Sequence, residues 1–543
     1  MGYTVQKSLQ NSLQKSVAHR PGPNSGQTRS LNWGLIRGLA YGLSALALSA
    51  ALALPAAAQT STRVITKQYA EGGVYEGTFK DGEQHGTGTY RLPNGYEYSG
   101  EWVMGEILGE GVARFPNGAV YEGRFAKGKQ EGFGKITYPD GSTYEGDWAD
   151  GAINGQGVAT YANGVRYEGA FSNALHEGKG RMTSDSGYIY DGDWRAGVKE
   201  GFGRITYPDG AVYSGEMLAG ERHGQGKLSL PDGLTYDGAW ASGQINGQGV
   251  LTQPNGDVYD GTLVTGKRQG EGRVTYANGD IYEGAFTDDK RQGQGRFTGT
   301  DGYVYNGAWV DGRIEGKGEV TYPDGSRYTG EFADDLAHGT GKITYPDGNT
   351  YEGDWIYGVI DGSGIARYAN GLVYEGQFKN ARNHGKGKMT YTDGYSYDGD
   401  WVDGKRDGQG VANYADGTVY EGRFVAGQRE GQGKITMPGG FTYSGSWKGG
   451  EIEGEGVATY ANGDVYTGTF RNGKRQGSGT INYASGQVES GEWENGALND
   501  DSEAANGDDS AASDASDATS TNTSTVEAAT GDTGTGDAAT VSE

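Results

Sequence analysis

The six histidines are the side chains of this chain that most readily bind a metal ion, but their spacing argues against a metal site. His19 lies near the N-terminus, and the other five are spread over the middle of the chain. These five are His85, His176, His223, His338 and His384. They occur at equivalent places in copies of a repeat that are never neighbours, whereas the ligands of one metal ion must converge within a few ångströms. We therefore interpret them as turn residues and predict no metal site.

Acidic residues and glycines are abundant, but they do not form the patterns of a catalytic or phosphate-binding site. Acids such as Glu145 and Asp147 alternate along a predicted strand, whereas glycosidic hydrolysis needs two carboxyl groups facing each other in a cleft. No Gly-Lys-Ser/Thr follows any glycine-rich segment, so a P-loop is excluded. The chain has no cysteine, which excludes disulfides, thiolate metal sites and a cysteine nucleophile. We predict a protein that is not an enzyme, with no catalytic residue and no cofactor.

These residues belong to a 23-residue repeat that makes up most of the chain. A tyrosine recurs every 23 residues from Tyr75 to Tyr466, with no insertion or deletion. Eighteen full copies cover residues 75–488, and a partial copy extends the array to residue 498. Self-similarity at a fixed period of this size indicates a repeat array in which each copy packs on its neighbours.

Each repeat, numbered from its Tyr as position 1, predicts two strands. Positions 1, 3 and 5 hold Tyr, Gly and an aromatic residue, as in Tyr144, Gly146 and Trp148. Strand alternation places these three on one face and the charged residues between them on the other. Positions 12, 14, 16 and 18 form a second alternating set, which in the copy starting at Tyr121 is Gly132, Gly134, Ile136 and Tyr138. We expect both of these glycines to lie against the aromatic rings of the first strand.

Two turns connect these strands. Glycine at position 8, such as Gly128, reverses the chain inside the repeat. Asp140-Gly141, and Asn163-Gly164 in the next copy, are predicted to turn the chain between repeats because both residues of such a pair tolerate positive φ. The predicted fold is all-β: an elongated, twisted single-layer antiparallel β-meander solenoid of 23-residue hairpin repeats.

Two sets of residues are candidate functional positions. The first is the aromatic ladder at positions 1 and 5, to which we assign a structural role. Representative members are Tyr121, Phe125, Tyr144, Trp148, Tyr190, Trp194, Tyr236, Trp240, Tyr305, Trp309, Tyr351, Trp355, Tyr397 and Trp401. The second set is an isoleucine at position 10 of most repeats that carry Trp at position 5. Its members are Ile107, Ile153, Ile245, Ile314, Ile360 and Ile452.

The isoleucines recur with a second period of 46 residues. Position 5 alternates between Phe and Trp, and the alternation changes phase between Leu263 and Phe286. The six isoleucines therefore lie in every second repeat, where they form either a stripe that binds a partner or the packing partners of their own Trp. We favour packing.

The repeat Tyr-Glu-Gly-x-Phe/Trp-x-x-Gly-x-x-x-Gly-x-Gly, followed by Asp/Asn-Gly, resembles the MORN (membrane occupation and recognition nexus) repeat over residues 75–498. The resemblance implies an elongated antiparallel β-meander that acts as a scaffold or interaction module, without catalytic residues. Members of the family are often tied to membranes or cytoskeletal assemblies, and some form antiparallel dimers. It therefore implies a protein partner or a homodimer.

The segments on either side of the array have a different composition. Residues 1–58 carry five basic groups and no acid, with an apolar run over residues 35–54 that ends in small residues. We interpret them as a signal peptide cleaved after Ala58; the alternative is an uncleaved membrane anchor. Residues 59–74 are a predicted lead-in strand. Residues 499–543, with eleven acids and no base, are predicted to be disordered.

The charge distribution limits the classes of partner. Residues 59–498 carry a net charge of −19 out of −25 for the chain, so their surface repels nucleic acid and anionic lipid. We predict a bacterial-type exported scaffold, in the periplasm, in the cell envelope or secreted, that mediates protein–protein interaction or self-assembly. The alternatives are a module that binds cell-wall glycan through its aromatic rows and a module that associates with membrane lipid.

Overall fold

The computed structural model describes residues 63–499, which fall into two units, residues 63–290 and residues 291–499. The predicted signal peptide, the first four residues of the predicted lead-in segment and the tail from residue 500 onward lie outside the described residues. No helix within residues 63–499 is long and apolar enough to cross a membrane.

The described residues form strands joined by short turns, and the first unit contains β1 to β20. These are β1 (Ile65–Gln68), β2 (Val74–Lys80), β3 (Glu83–Arg91), β4 (Glu97–Val103), β5 (Glu106–Arg114), β6 (Val120–Ala126), β7 (Lys129–Thr137), β8 (Thr143–Ala149), β9 (Ala152–Thr160), β10 (Arg166–Ser172), β11 (Leu175–Thr183), β12 (Ile189–Arg195), β13 (Val198–Thr206), β14 (Val212–Leu218), β15 (Glu221–Ser229), β16 (Thr235–Ala241), β17 (Gln244–Thr252), β18 (Val258–Val264), β19 (Lys267–Thr275) and β20 (Ile281–Thr287).

The second unit continues the same pattern with β21 to β39. These are β21 (Lys290–Thr298), β22 (Val304–Val310), β23 (Arg313–Thr321), β24 (Arg327–Ala333), β25 (Leu336–Thr344), β26 (Thr350–Ile356), β27 (Val359–Arg367), β28 (Val373–Lys379), β29 (Arg382–Thr390), β30 (Ser396–Val402), β31 (Lys405–Asn413), β32 (Val419–Val425), β33 (Gln428–Thr436), β34 (Thr442–Lys448), β35 (Glu451–Thr459), β36 (Val465–Arg471), β37 (Lys474–Asn482), β38 (Val488–Glu494) and β39 (Ala497–Leu498).

Within each unit, every strand pairs antiparallel with the strands before and after it in the chain. In the repeat built from β6 and β7, Tyr121 lies opposite Ile136 and Gly123 opposite Gly134. Gly134 in turn lies opposite Gly146 of the next repeat, so the glycines at positions 3 and 14 form a row that crosses successive strands. The predicted all-β antiparallel meander of hairpin repeats is confirmed.

A β-bulge in each hairpin corrects the predicted role of the glycine at position 12. The register shifts so that residues 131–133 of β7 lie opposite the single residue Arg124 of β6. A Cβ at Gly134 would lie within 2.6 Å of three atoms of the Tyr121 side chain, two of them in the ring, as predicted for position 14. A Cβ at Gly132 would instead meet the Arg124 side chain at 3.6 Å. The two extra residues leave positions 10 and 14 on the ladder face but place positions 12 and 13 together on the opposite face, so the prediction is wrong for position 12.

The two turns have different geometries, and only one is the two-residue turn that needs positive φ at both positions. Lys127 and Gly128 have φ of 53° and 79°, as a type I′ turn requires. Between repeats, Asp140 does not have positive φ, whereas Gly141 has φ of 85°. The Asp140 carboxylate instead accepts a 2.9 Å hydrogen bond from the backbone N–H of Ser142. The Asp-Gly pair does turn the chain, but through this side-chain contact and one left-handed glycine.

Candidate interaction surfaces

The rings of the aromatic ladder are buried against one another. The Tyr121 ring lies 5.0 Å from the Phe125 ring of its own repeat and 5.0 Å from the Trp148 ring of the next repeat, edge to face in both cases. Tyr144 then contacts Trp148 at 5.6 Å and Phe171 at 5.2 Å. All fourteen representative members are at most 7 % exposed. In this conformation their faces are not available to stack on a sugar ring.

Hydrogen bonds from the ladder satisfy backbone groups at the bulges and in the neighbouring repeat. The Tyr144 hydroxyl donates to the backbone carbonyl of Asp147 at 2.9 Å. The Trp148 indole N–H donates to the carbonyl of Gly134, one repeat earlier, at 3.2 Å. Because the phenol is buried, its charged form is disfavoured, and burial raises the pKa of Tyr75 and Tyr236 to about 12. The ladder therefore joins neighbouring repeats through both apolar contact and polar bonds.

The six candidate isoleucines at position 10 lie directly opposite the Trp of their own repeat. Ile153 is the cross-strand partner of Trp148, and Ile245 is that of Trp240. The same pairing holds for Ile107, Ile314, Ile360 and Ile452. Ile153, Ile245 and Ile314 are buried, at 2 to 6 % exposed, and the other three are half-buried. This placement fits the packing hypothesis, while the partner-binding stripe stays a prediction of the sequence.

Arginines at position 10 make a contact that sequence analysis missed. Six repeats carry this residue: Arg222, Arg268, Arg291, Arg406, Arg429 and Arg475. The Arg222 guanidinium lies 4.3 Å from the centroid of the Trp240 ring in the following repeat and donates a 2.7 Å hydrogen bond to the carbonyl of Gly243. This cation–π contact crosses a repeat boundary, so it has no signature within a single copy.

Lys199 occupies position 10 of a Trp-type repeat, where isoleucine is the usual residue. Its ammonium lies 4.7 Å from the centroid of the Tyr188 ring and donates to the Tyr188 hydroxyl at 2.6 Å. Burial lowers the pKa of Lys199 to about 8 because the charged form loses hydration. The Lys199 side chain occupies a ladder-face position that is usually isoleucine, and burial of its charge lowers the stability of the folded chain.

The histidines of the described residues serve the turns and the ladder. The Nδ1 atom of His338 accepts a 3.4 Å hydrogen bond from the backbone N–H of Tyr357 in the next tight turn. His176 is 4 % exposed and stacks on the Tyr167 ring at 3.9 Å. Within residues 63–499, no three histidine or acidic side chains come together as a metal site would require.

The opposite face of the sheet, which we call the polar face, carries two rows of side chains on either side of the glycine row. One row comes from positions 2 and 15, the other from positions 4 and 13. Exposed ion pairs connect neighbouring strands, such as Lys135 with Glu145 at 3.4 Å and Lys342 with Glu352 at 3.0 Å. Exposed pairs of this kind contribute little to stability, so packing does not fix the residue types of this face.

In the second unit the two rows enclose an open groove of about 430 Å³ whose floor is the glycine backbone. Its lining residues are Gln294, Asn306, Gly307, Lys317, Gly318, Glu319, Thr329, Gly330, Glu331 and Thr340. The groove combines exposed carboxylates, one ammonium group and backbone that no side chain covers on this side. Such a surface is suited to polar contacts with another macromolecule.

Two exposed phenylalanines interrupt the polar face in the first unit. Phe133 and Phe202 stand at position 13 and are 59 % and 56 % exposed. The other full repeats have a polar or charged residue at this position, most often Gln. Sequence analysis did not single them out, although comparing the copies at position 13 would have found them. They are the exposed side chains of this face with the most apolar area to offer a partner.

Comparison with known proteins identifies one family. The family model described as MORN repeat matches eighteen consecutive segments of the chain. These are residues 75–95, 98–120, 121–143, 144–166, 167–187, 190–212, 213–235, 236–258, 259–281, 282–302, 305–327, 328–350, 351–373, 374–394, 397–419, 420–442, 443–465 and 466–488. No curated protein sequence matches the chain.

Solved structures show only weak likeness. The TCP10 domain of Danio rerio CPAP, in complex with a peptide of Danio rerio STIL, is 14 % identical with a TM-score of 0.17, covering 49 % of this chain and 98 % of that one. A virginiamycin B lyase from Staphylococcus aureus is 10 % identical with a TM-score of 0.10, covering 45 % of this chain and 84 % of that one. Scores this low establish no shared overall fold, and no function is transferred from these proteins.

Proposed function

Because the chain belongs to the MORN repeat family, we propose that it is a non-enzymatic scaffold that binds a protein partner through the polar face of its repeats. One observation carries the proposal: Phe133 and Phe202 are more than half exposed on a face whose other exposed apolar side chains, such as Val250 and Val457, are smaller and less exposed. Large aromatic side chains in polar surroundings are the usual anchors of protein interfaces. The ladder rings, by contrast, are already packed within the sheet.

The surroundings of these anchors define the chemistry of the partner. Asp147 lies opposite Phe133 on the next strand, and Glu216 lies opposite Phe202. The array is also acidic as a whole. A fitting partner therefore presents apolar groups flanked by Lys or Arg. The two phenylalanines lie on β7 and β13, six inter-strand spacings apart, which corresponds to about 29 Å along the sheet. The partner surface must therefore be extended.

The test is capture of a partner by the immobilised full chain from extracts of the source cells. We expect the variant Phe133→Gln with Phe202→Gln to keep its circular dichroism spectrum and to lose the captured protein, because Gln already occupies position 13 in other copies. The matched control is Ile356→Thr, which removes an apolar side chain that is 49 % exposed at a tight turn rather than on the polar face. Equal capture by wild type and by the double variant would contradict the proposal.

Direct binding assays distinguish the two alternative partners, glycan and membrane lipid. Retention on insoluble polysaccharide that soluble sugar abolishes would replace the proposal with glycan binding. Flotation with anionic vesicles that weakens with salt would replace it with lipid binding. We expect neither, because the ladder rings are buried and the array carries a net negative charge.

We further propose that the scaffold acts outside the cytoplasm, in the periplasm, in the cell envelope or secreted. The support is the composition of residues 1–58, a basic segment followed by an apolar run and small residues. Intact-mass measurement of the protein recovered from fractionated cells tests this. A mass that begins at Gln59, in an extracytoplasmic fraction, is expected; an uncleaved chain in the membrane fraction would favour the anchor.

A further inference from the structure

The described residues contain half a repeat at each end of the array, and the two halves are complementary. β1 pairs with β2 so that Ile65 lies opposite Gly77 and Lys67 opposite Tyr75. Positions 14 and 16 of an internal repeat pair with the next repeat in this same register. Residues 63–74 therefore supply positions 12 to 23 of a repeat whose first half is absent from residues 63–499.

The other end supplies the missing half. Trp493 in β38 lies opposite Leu498 in β39, which is the pairing of positions 5 and 10 in internal repeats. Residues 489–499 therefore supply positions 1 to 11. β1 and β38 thus correspond to the second and the first strand of one hairpin.

Both half-repeats have an open strand edge. Among residues 63–499, β1 pairs only with β2, so its other edge has no strand beside it. β38 pairs with β37 on one side. On the other side β39 lies opposite Trp493 and Glu494, and the Asn499 N–H donates a 2.8 Å hydrogen bond to the Glu492 carbonyl, so among residues 63–499 this edge is open only from Val488 to Gly491. Unpaired backbone N–H and C=O groups at such an edge are a template for another strand.

The residues that would meet across these edges have opposite charges. Position 1 is Tyr in all eighteen full repeats, and position 16 is Tyr90 in the first of them and apolar in the other seventeen. The half-repeats depart from both rules: position 1 is Glu489 and position 16 is Lys67. Positions 1 and 16 lie directly opposite in each hairpin, as Tyr121 and Ile136 do. Pairing of β38 with β1 would therefore place Glu489 opposite Lys67, a favourable cross-strand pair.

Positions 14 and 1 of the two half-repeats also depart from the full repeats, and the two departures are compatible with each other. Position 14 is Gly in the full repeats because the tyrosine ring of position 1 occupies the place of its Cβ, as Tyr121 does at Gly134. In β1 this position is Ile65, whose side chain would collide with such a ring. Glu489 has no ring, and the Leu498 side chain lies against Gly491 instead, 2.8 Å from the place of a Cβ. In this register Ile65 would therefore pack beside an aliphatic side chain rather than collide with a ring.

We propose that a second copy of this chain occupies each open edge: β1 of one molecule pairs antiparallel with β38 of the next and completes a nineteenth repeat. The segment that follows β39 in the same chain is a poor competitor, because residues 500–543 contain no base to face Glu489. The contact joins unlike ends, so it generates chains or closed rings rather than a two-fold dimer. It does not depend on the polar-face partner.

Charge reversal tests the contact on the purified full chain by sedimentation velocity over a wide range of concentration. We expect wild type to form a series of oligomers beyond the dimer. Lys67→Glu and Glu489→Lys should each weaken association about tenfold, because each places like charges opposite one another. An equimolar mixture of the two variants, and the variant that carries both changes, should regain association because opposite charges face again.

A disulfide tests the register, which is convenient because the chain has no cysteine. Thr66 and Ser490 hold positions 15 and 2, which face each other in each hairpin, as Lys135 and Glu122 do. Mild oxidation of mixed Thr66→Cys and Ser490→Cys proteins should give a crosslinked pair. The matched control replaces Ser490→Cys by Ser444→Cys, at position 2 of an internal repeat, and should give none.

Three results would overturn the proposal. They are a wild-type protein that stays monomeric at its highest soluble concentration, single charge variants that associate as wild type does, and crosslinking that is equal with Ser444→Cys. Association that stops at the dimer would indicate a two-fold interface and would overturn it as well.

Discussion

The two faces of this sheet contrast sharply in how strictly residue type is repeated. On the ladder face, Tyr recurs at position 1 in all eighteen full repeats, where its ring is packed between the aromatic residues of two repeats. On the polar face, position 13 is Phe in two repeats and Gln, Lys, Glu, Ser or Thr in the others. The same 23-residue period therefore keeps position 1 of the ladder face invariant while position 13 of the polar face varies.

The contrast follows from packing. The buried Tyr ring of position 1 contacts the aromatic or apolar residues of its own and the next repeat, so a change in one copy disturbs the next. On the polar face, most side chains meet water and exposed ionic partners, which tolerate substitution at a cost of a few tenths of a kcal/mol. Differences between copies on this face are therefore where specific recognition can be encoded without loss of the fold.

Alkaline pH should affect the ladder face most strongly. Burial raises the pKa of Tyr75, Tyr236 and Tyr305 to about 12, against about 10 in an unfolded chain. A pKa raised by folding contributes stability that is complete below pH 10 and is lost as the pH rises towards 12. The loss is up to about 1.4 kcal/mol per tyrosine per pH unit. We expect loss of the β-sheet dichroism to coincide with tyrosinate absorbance; tyrosinate formed near pH 10 in an intact sheet would contradict this.

Gly134→Ala should be the most damaging single substitution on the ladder face. Its Cβ would lie within 2.6 Å of the Tyr121 ring, and neither strand can shift without disturbing its neighbours. We expect a loss of about 3 kcal/mol in local stability, measured by hydrogen exchange over the repeats that flank the site. The control is Gly141→Ala, where φ is 85° and no atom lies within 4 Å, so only about 1 kcal/mol of backbone strain is expected. Equal losses would refute the steric explanation.

Tyr144→Phe should have a smaller effect, because it removes only the hydroxyl. The Asp147 carbonyl then loses the 2.9 Å hydrogen bond donated by this hydroxyl, at a cost of about 1–2 kcal/mol in the free energy of unfolding. The control on the polar face is Glu145→Gln, the adjacent residue, which should change stability by less than about 0.5 kcal/mol. Urea unfolding measures both. A larger effect of Glu145→Gln would contradict the distinction between the faces.

Lys199→Ile should stabilise the ladder face by about 1 kcal/mol at pH 7, because it replaces a buried ammonium with the residue usual at this position. Folding lowers the pKa of Lys199 to about 8, against 10.5 when free. The unfolded chain therefore binds the extra proton, and wild-type stability rises between pH 8 and pH 10. The advantage of the variant should shrink over this range. A difference that does not change with pH would show that the lysine keeps its charge without cost.

The sequence was sufficient to predict the ladder, because alternating residue types and a fixed period express packing directly. Positions 1, 3, 5 and 14 lie where alternation places them. Position 12 does not, because the bulge inserts two extra residues and places positions 12 and 13 on the same face. The residue types do not reveal how many residues are inserted. The Asp140-Gly141 pair correctly marked a turn, but the Asp140 carboxylate rather than a second positive φ stabilises it.

The candidate surfaces were less accessible to sequence reasoning. Pairing of Ile153 with Trp148 depends on register, which the sequence left as one of two alternatives. The contact from Arg222 to Trp240 crosses a repeat boundary and is therefore invisible in any one copy. Phe133 and Phe202 could have been found from the sequence, since they replace the polar residue of the other copies at position 13. In a repeat array, a residue that differs from its equivalents in the other copies is a candidate functional residue.

The contact of position 10 with the following repeat has a consequence for inheritance. In the regular alternation, Arg222 lies on a Trp ring, and Arg406, in a Trp-type repeat, lies 5.4 Å from a Phe ring. The repeat of Arg268 follows a Trp-type repeat, as that of Arg222 does, yet beside the change of phase at Leu263 and Phe286 this arginine lies 5.1 Å from a Phe ring. The segment of gene that preserves every boundary contact when it is copied is therefore a pair of repeats, 46 codons long. Unequal recombination by whole pairs lengthens or shortens the protein without creating a new type of junction. Gain or loss of one copy instead places two repeats of the same phase side by side, as at Leu263 and Phe286.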